Sequence, residues 1–386
     1  MLAICSDLDE TPDRHVYAES MRFLNTTGAT SMGAGVGLEV GNSIYFDMAP
    51  GQFSYWNTDD AGRAMLQAFI RSGHVDCLHS YGDLATSRRH AGRALEELTR
   101  HDCRMQVWVD HAQAPSNFGG DIMRGLGDVT DAPVYHADLT CGYGVRYVWR
   151  GRVTSVIGQG VPRRVGAVYD VRHPAASLRT VGKEIAKGVL ARRGNAKYRM
   201  HADNDVTRDA QLRDGRPVVE FLRSNPSWRG VDLSATATGL GEVLTDRVIA
   251  SLGDAAGACI LYTHLGKVAR NDGPFPKRSR EALARLADAQ RAGSVLVTTT
   301  TRLLDYWTRT SRIQTSIAAD PGGERVIVDA PADAVLDGLT VYVRDSARAH
   351  IVVNGRDRAD AVRNPADHTG RDSVSLPWRR LELPAL

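Results

Sequence analysis

Asp7 and Asp9 stand just past a short apolar run, Leu2 to Cys5, near the start of the chain. A second short run, Val75 to His79, lies inside the stretch Ser72-Gly73-His74-Val75-Asp76-Cys77-Leu78-His79-Ser80-Tyr81-Gly82-Asp83 and delivers His79 and then Asp83. Carboxylates and an imidazole at strand ends are the ligands and proton carriers that a hydrolase arranges around a divalent metal. Hydrolysis by acid–base or metal-assisted chemistry is therefore the activity this pattern points to.

The elements that must position these side chains alternate along the chain. Strand-like runs occur at Leu2–Cys5, Val75–His79, Met105–Val109, Pro133–Ala137, Ala258–Thr263 and Val295–Thr298. Amphipathic helical patterns lie between them: Asp59–Ser72 with Ala61, Met65, Ala68 and Phe69 on one face, Ser87–Arg100 with Ala91, Leu95 and Leu98, and Arg278–Ala292 with Ala282, Leu286 and Ala289. Alternating strands and helices imply an α/β fold with a parallel sheet, open or closed into a (β/α) barrel. In either case chemistry collects at the carboxyl ends of strands. Asp7, Asp9, His79, Asp110, His111, His136 and His264 all fall there.

Residues from about 150 to 228 are less regular and read as an insertion over the mouth, with strand-like alternation at Val153–Ile157 and Val165–Val168. After Trp307 the helical patterns stop. Short alternating runs take over at Val326–Val328, Leu339–Val343, Ile351–Val353 and Ser373–Leu376, punctuated by Pro, Gly and Asp. They predict a small antiparallel β-sandwich over 313–386, following a main domain over 1–312. Asn354-Gly355, directly after an apolar run, is a hairpin signal.

Composition is that of a soluble globular protein, with 42% hydrophobic and 24% charged residues. The formal net charge of +3 provides no global field for nucleic acid, and Arg163-Arg164 and Arg192-Arg193 read as solvated loop charges. The five Cys (5, 77, 103, 141 and 259) form no CxxC pair, and four of them (5, 77, 103 and 259), in or beside apolar runs, read as small core residues, which fits a reducing compartment. No cationic leader precedes a long apolar run, and none approaches the roughly 18 residues of a membrane span, so the expectation is a cytoplasmic protein.

Asp7-Leu8-Asp9-Glu10-Thr11 matches the DxDxT nucleophile motif of haloacid-dehalogenase-type phosphatases, but no acidic pair follows Thr298–Thr301, as that machinery requires. The order of motifs instead resembles the NodB-type polysaccharide deacetylases. One branch of that superfamily opens with Asp-x-Asp, and its second motif reads Gly-His-Glu-Ile-Gly-x-His-(Ser/Thr)-x-x-His. Gly73, His74, His79 and Ser80 match that motif, and Asp83 replaces its last His. Gly257-Ala258-Cys259-Ile260-Leu261-Tyr262-Thr263-His264 looks like the family's late strand ending in an acid His, and Val295 to Tyr306 like its closing strand and helix.

The resemblance implies a distorted (β/α) barrel of the polysaccharide-deacetylase type and metal-dependent deacylation of a glycan or amino sugar. Asp7 would be the base, His264 the acid, and Asp9, His79 and Asp83 the ligands of a divalent metal such as Zn²⁺. The family's Arg-x-Pro motif is absent, and Trp108-Val109-Asp110-His111 stands in its place. Candidate substrate contacts are Asp110, His111, His136 and Asp138, with Trp108 and Tyr81 as rings to stack on sugar.

His136 and Asp138 would share one face of a strand. Carboxylates at such a mouth suit a glycoside hydrolase as the second reading, with Asp7, Asp9, Asp83, Asp110 and Asp138 as candidates. A glycan-binding protein without turnover is the third. His74, ahead of the strand, reads as a structural hydrogen-bonding residue.

Overall fold

The computed structural model describes residues 1–7, 11–162, 169–225, 236–266, 275–310, 312–332, 334–367 and 369–385. Asp9 and the run Val165–Val168 lie outside them. The chain divides into two compact units. One comprises Met1–Leu303 and Leu381–Leu386, and the other is Leu304–Arg380. The division falls a little before the expected 312, and the last residues belong to the first unit.

The first unit is built on one sheet with helices against it. Its strands are β1 (Leu2–Ser6), a small hairpin β2 (Ala29–Thr30) and β3 (Gly33–Ala34) apart from the main sheet, then β4 (Gly41–Ile44), β5 (Val75–His79), β6 (Val107–Val109), β7 (Tyr147–Trp149), β8 (Val153–Thr154), β9 (Thr207–Gln211), β10 (Pro217–Phe221), β11 (Arg223–Ser224), β12 (Cys259–Thr263) and β13 (Val297–Thr298). Their order across the main sheet is β8-β11-β12-β1-β4-β5-β6-β7-β10-β9, with β13 beside the start of β1. Every pair is parallel except β9 with β10. The sheet is curled into half a barrel.

The helices are α1 (Arg14–Asn25), α2 (Asp60–Arg71), α3 (Arg88–Arg100), α4 (Ala137–Tyr143), α5 (Pro174–Arg192), α6 (Leu240–Val243), α7 (Asp246–Ala255), α8 (Lys277–Arg291) and α9 (Thr300–Thr310). Local sequence sets their ends. Asp59 caps α2 by accepting from Gly62 N at 2.8 Å, and Ser87 with His90 forms a capping box on α3. The inward faces of α2 and α3, Met65, Leu66, Phe69, Ile70, Ala91, Leu95 and Leu98, join Trp108 and Val148 of the sheet in one core. A second core gathers Leu2 and Ile4 of β1 with Leu240, Val243, Leu283 and Leu286 of α6 and α8. Since Leu2 and Ile4 face that core, strand alternation turns Ala3, Cys5 and Asp7 to the opposite side of the sheet. Among the described residues no helix is long and apolar enough to cross a membrane.

Two expectations change. Pro133–Ala137 is not a strand: His136 N and Ala137 N both bond to Gly127 O, which folds the run into a turn before α4, and Tyr147–Trp149 takes the place beside β6. The 150–228 segment is not an add-on, because it supplies β8, β9, β10 and β11 to the main sheet.

The second unit holds β14 (Gln314–Asp320), β15 (Gly323–Asp329), β16 (Thr340–Val343), β17 (Ala349–Val353), β18 (Arg356–Asp357), β19 (Val362–Asn364) and β20 (Asp372–Ser375) in two small sheets, β14-β15-β17-β18 and β16-β20-β19. Both sheets feed one core of Val326, Val328, Ile351, Leu339, Val343 and Val374. Pairing is antiparallel except between β15 and β17. Asn354 and Gly355 both take positive φ, 48° and 78°, and turn β17 into β18 as the sequence signalled.

Leu98 is fully buried and Leu84 is 51% exposed. Leu98→Ala is expected to lower the unfolding free energy by about 2–5 kcal/mol in urea titrations, through lost transfer energy and the cavity left behind. Leu84→Ala is expected to change it by less than about 0.5 kcal/mol.

Candidate active site

β1 runs through the middle of the sheet and releases Asp7 at its carboxyl end, where Asp7 N bonds to Thr263 O of β12 at 3.1 Å. The neighbouring strands bring four side chains to its carboxylate. Ser43 of β4 donates its hydroxyl to Oδ1 at 2.9 Å, and His79, closing β5, places Nδ1 3.5 Å from the same oxygen. Arg223 of β11 lies on the other side, with Nη2 3.8 Å from Oδ1, and His264, just past β12, sets Nε2 3.3 Å from Oδ2. The sequence therefore brings Asp7, His79 and His264 together as their strand-end positions suggested. Asp7 and His79 are each 1% exposed.

Ser43 has a single proton to give, and its shorter contact is with Asp7. His79 Nδ1 faces Ser43 Oγ at 3.4 Å and the carboxylate, two acceptors, so that nitrogen carries the proton. Nε2 is then the basic nitrogen, and among the described residues nothing hydrogen-bonds to it. His264 Nε2 also meets the Tyr262 hydroxyl at 3.2 Å.

Burial by itself raises the Asp7 pKa, but His79, Arg223 and His264 more than reverse this and bring it down to about 2. Burial holds His79 well below the ordinary histidine value, so it is neutral near pH 7. The lasting countercharge to Asp7 is accordingly Arg223, because a guanidinium keeps its proton at any accessible pH. Arg223 has no exposed surface. Its guanidinium carbon lies 4.2 Å from the Trp149 ring centre and 4.8 Å from that of Tyr262, and Nη2 reaches Cys5 Sγ at 2.8 Å. Nε and Nη1 have no hydrogen-bond partner among the described residues. Two ring faces replace much of the hydration it loses, about 2 kcal/mol or more for a desolvated cation–π contact.

A second group adjoins the first. His111, after β6, pairs through Nδ1 with Asp83 Oδ1 at 2.8 Å. The Tyr45 ring lies 4.2 Å from the His79 ring and 5.0 Å from that of His111, and the two imidazoles are 4.7 Å apart. The turn that leads from His79 to Asp83 is strained: Ser80, Tyr81 and Gly82 have φ of 54°, 63° and 100° in succession. Only glycine fits the third place, since a Cβ there would stand 2.3 Å from Asp47 O.

The remaining expected contacts are placed differently. Asp110 is fully buried and accepts from Trp108 Nε1 at 2.7 Å, Phe118 N at 2.8 Å and Gly119 N at 2.8 Å. Burial pushes its carboxyl up to about 7 against the pull of those donors. Tyr81 and Trp108 have no exposed surface, so neither offers a face to a sugar as placed here; Tyr81 bonds instead to Thr140 Oγ1 at 2.8 Å. His136 and Asp138 were expected on one strand but flank the start of α4. His136 spans Thr140 Oγ1 and Ser116 O, both at 2.8 Å, and burial lowers it to about 4. Asp138 makes a two-pronged pair with Arg88 at 2.6 and 2.7 Å. His74 bonds Ser72 Oγ at 2.9 Å, a structural contact.

Of the expected metal ligands, Asp9 lies outside the described residues, His79 turns Nδ1 to Asp7 and Ser43, and Asp83 is engaged by His111. Among the described residues no group of three His, Cys, Asp or Glu side chains could hold a metal ion. They do not by themselves fit a metal centre, and no step below runs through one.

Arg223→Met tests the pair. The Asp7 pKa is lowered on folding, so the stability it contributes is complete above the ordinary value of 3.8 and is lost as pH falls toward about 2. Denaturant titrations at pH 7 should show Arg223→Met losing about 3–5 kcal/mol, the cost of leaving one charge of a buried pair alone. That deficit should shrink as pH falls from 4 toward 2 and be partly recovered in Asp7→Asn/Arg223→Met.

No protein-family model, curated protein or solved structure matches this chain.

Proposed function

We propose that this protein is a hydrolase that removes an acyl group from a glycan or amino sugar at the carboxyl ends of β1, β4, β5, β11 and β12. The observation that carries the proposal is the convergence of Ser43, His79, Arg223 and His264 on the single buried carboxylate of Asp7. The acyl-sugar substrate class rests on the resemblance of the motif order to the NodB-type deacetylases.

In this reading Asp7 orients rather than abstracts. A carboxylate held at about 2 is too weak a base to activate water well near neutral pH. It fixes the His79 tautomer, as the carboxylate of an Asp–His pair does, and stabilises the imidazolium that forms. His79 Nε2 takes a proton from water as the water adds to the acyl carbonyl; burial holds the imidazole pKa down, and the Asp7 carboxylate beside Nδ1 works against that as the imidazolium forms. His264 gives a proton to the departing amine or alcohol, so the acid product carries the new C–O bond and the leaving group the hydrogen. Arg223 keeps Asp7 ionised throughout.

Glycosidic cleavage needs a protonated carboxyl free to reach the leaving oxygen. Asp110 has a raised pKa, but both of its oxygens are taken by Trp108, Phe118 and Gly119. Deacylation is the better-supported chemistry.

Acetate release from acetylated chito-oligosaccharides and acetylated xylan, alongside reducing-end assays, tests the proposal. The expected result is acetate without new reducing ends, with His79→Gln and His264→Gln each lowering kcat by about 10²–10⁴. New reducing ends without acetate would assign the site to glycosidic cleavage. Sugar binding with no turnover would make it a binding protein. Wild-type rates in His79→Gln would remove His79 as the base.

A further inference from the structure

α5 is folded with its polarity reversed. The side buried against the protein carries Ser177, Thr180, Glu184, Gly188 and Ala191. Glu184 is 5% exposed and engaged by Thr154 Oγ1 at 2.9 Å and Lys187 Nζ at 2.7 Å. The solvent side carries Leu178, Ile185 and Val189, which are 62%, 59% and 39% exposed. At the α-helical rotation of about 100° per residue these three fall within about 40° of one another, a continuous apolar stripe. An apolar residue left in water forgoes about 1.5–3 kcal/mol of burial, so a stripe of them on one face marks a surface meant to be covered.

The charges beside the stripe all have one sign. Arg179 and Lys183 lie about 100° and 140° round the helix from Leu178, on the flank away from the buried side, and Arg192 and Arg193 stand at the end. All four are exposed and none has an ion-pair partner among the described residues. The one acid of the helix is turned inward. A second copy of this chain seated face to face would set Arg179 and Lys183 against like charges with no exposed carboxylate on α5 to offset them. An apolar stripe flanked by unpaired cations matches the headgroup boundary of an anionic lipid layer, into which such a helix lies flat.

We propose that α5 is a peripheral membrane-binding face, which docks the protein on anionic lipid with Leu178, Ile185 and Val189 inserted and Arg179, Lys183 and Arg192 against the headgroups. This does not depend on the deacylase reading. Docking of this kind would hold the enzyme near substrates carried at a membrane surface.

Co-sedimentation of the full chain with phosphatidylcholine vesicles, with and without phosphatidylglycerol, tests it. The expected result is binding to the phosphatidylglycerol vesicles, weakened by salt and lost in Leu178→Gln/Ile185→Gln. Arg179→Gln/Lys183→Gln should weaken partitioning roughly thirtyfold, about fivefold per charge removed. These positions are exposed, so unchanged urea midpoints will show that the variants fold. No binding to phosphatidylglycerol vesicles, or equal binding by both variants, would overturn the proposal. A dimer seen by light scattering, abolished by Leu178→Gln/Ile185→Gln and without vesicle binding, would assign the stripe to a second copy of the chain.

Discussion

One buried charge pair governs the chemistry of this molecule. Asp7 has almost no contact with solvent, and removing a lone carboxylate from water costs several kcal/mol. Arg223 offsets that cost, and it is itself held in a slot between Trp149 and Tyr262. Neither residue is tolerable without the other. Together they leave a carboxylate that is ionised at every physiological pH.

Strand order explains why these residues meet. From β1 the sheet grows through β4, β5, β6 and β7 on one side, while β12, β11 and β8 lie on the other. The chain thus changes direction at β1, and in open parallel sheets such a switch point leaves a crevice beyond the carboxyl ends of the strands. Ser43 and His79 enter it from one side, Arg223 and His264 from the other. The pleat supplies the rest: with Leu2 and Ile4 committed to the helix-covered core, Cys5 and Asp7 can only face the interior of the curl.

The site was partly legible in the sequence. Asp7, His79 and His264 each end an apolar run, and a reactive side chain in that position has few structural uses. Arg223 gave no such signal, because it stands alone in Phe221-Leu222-Arg223-Ser224 within a stretch too irregular to read as part of the main sheet. A single arginine in an apolar run carries its meaning only through the ring faces of Trp149 and Tyr262, which come from distant strands. Ser43 was equally silent as a small residue in a four-residue strand. Pro133–Ala137 misled because a short apolar run fits a buried turn as well as a strand, and only the bonds to Gly127 distinguish them. Tyr81 and Trp108 were read as sugar platforms, yet packing around Phe118 and His136 encloses both.

The most direct measurement is a ¹³C NMR titration of the Asp7 carboxyl in aspartate-labelled protein, assigned with Asp7→Asn. The account predicts a carboxylate that shows no protonation between pH 7 and pH 4, consistent with a pKa brought to about 2. A resonance that titrates at or above the ordinary aspartate value of about 3.9 would mean that Arg223 does not hold the charge, and would contradict the account at its centre.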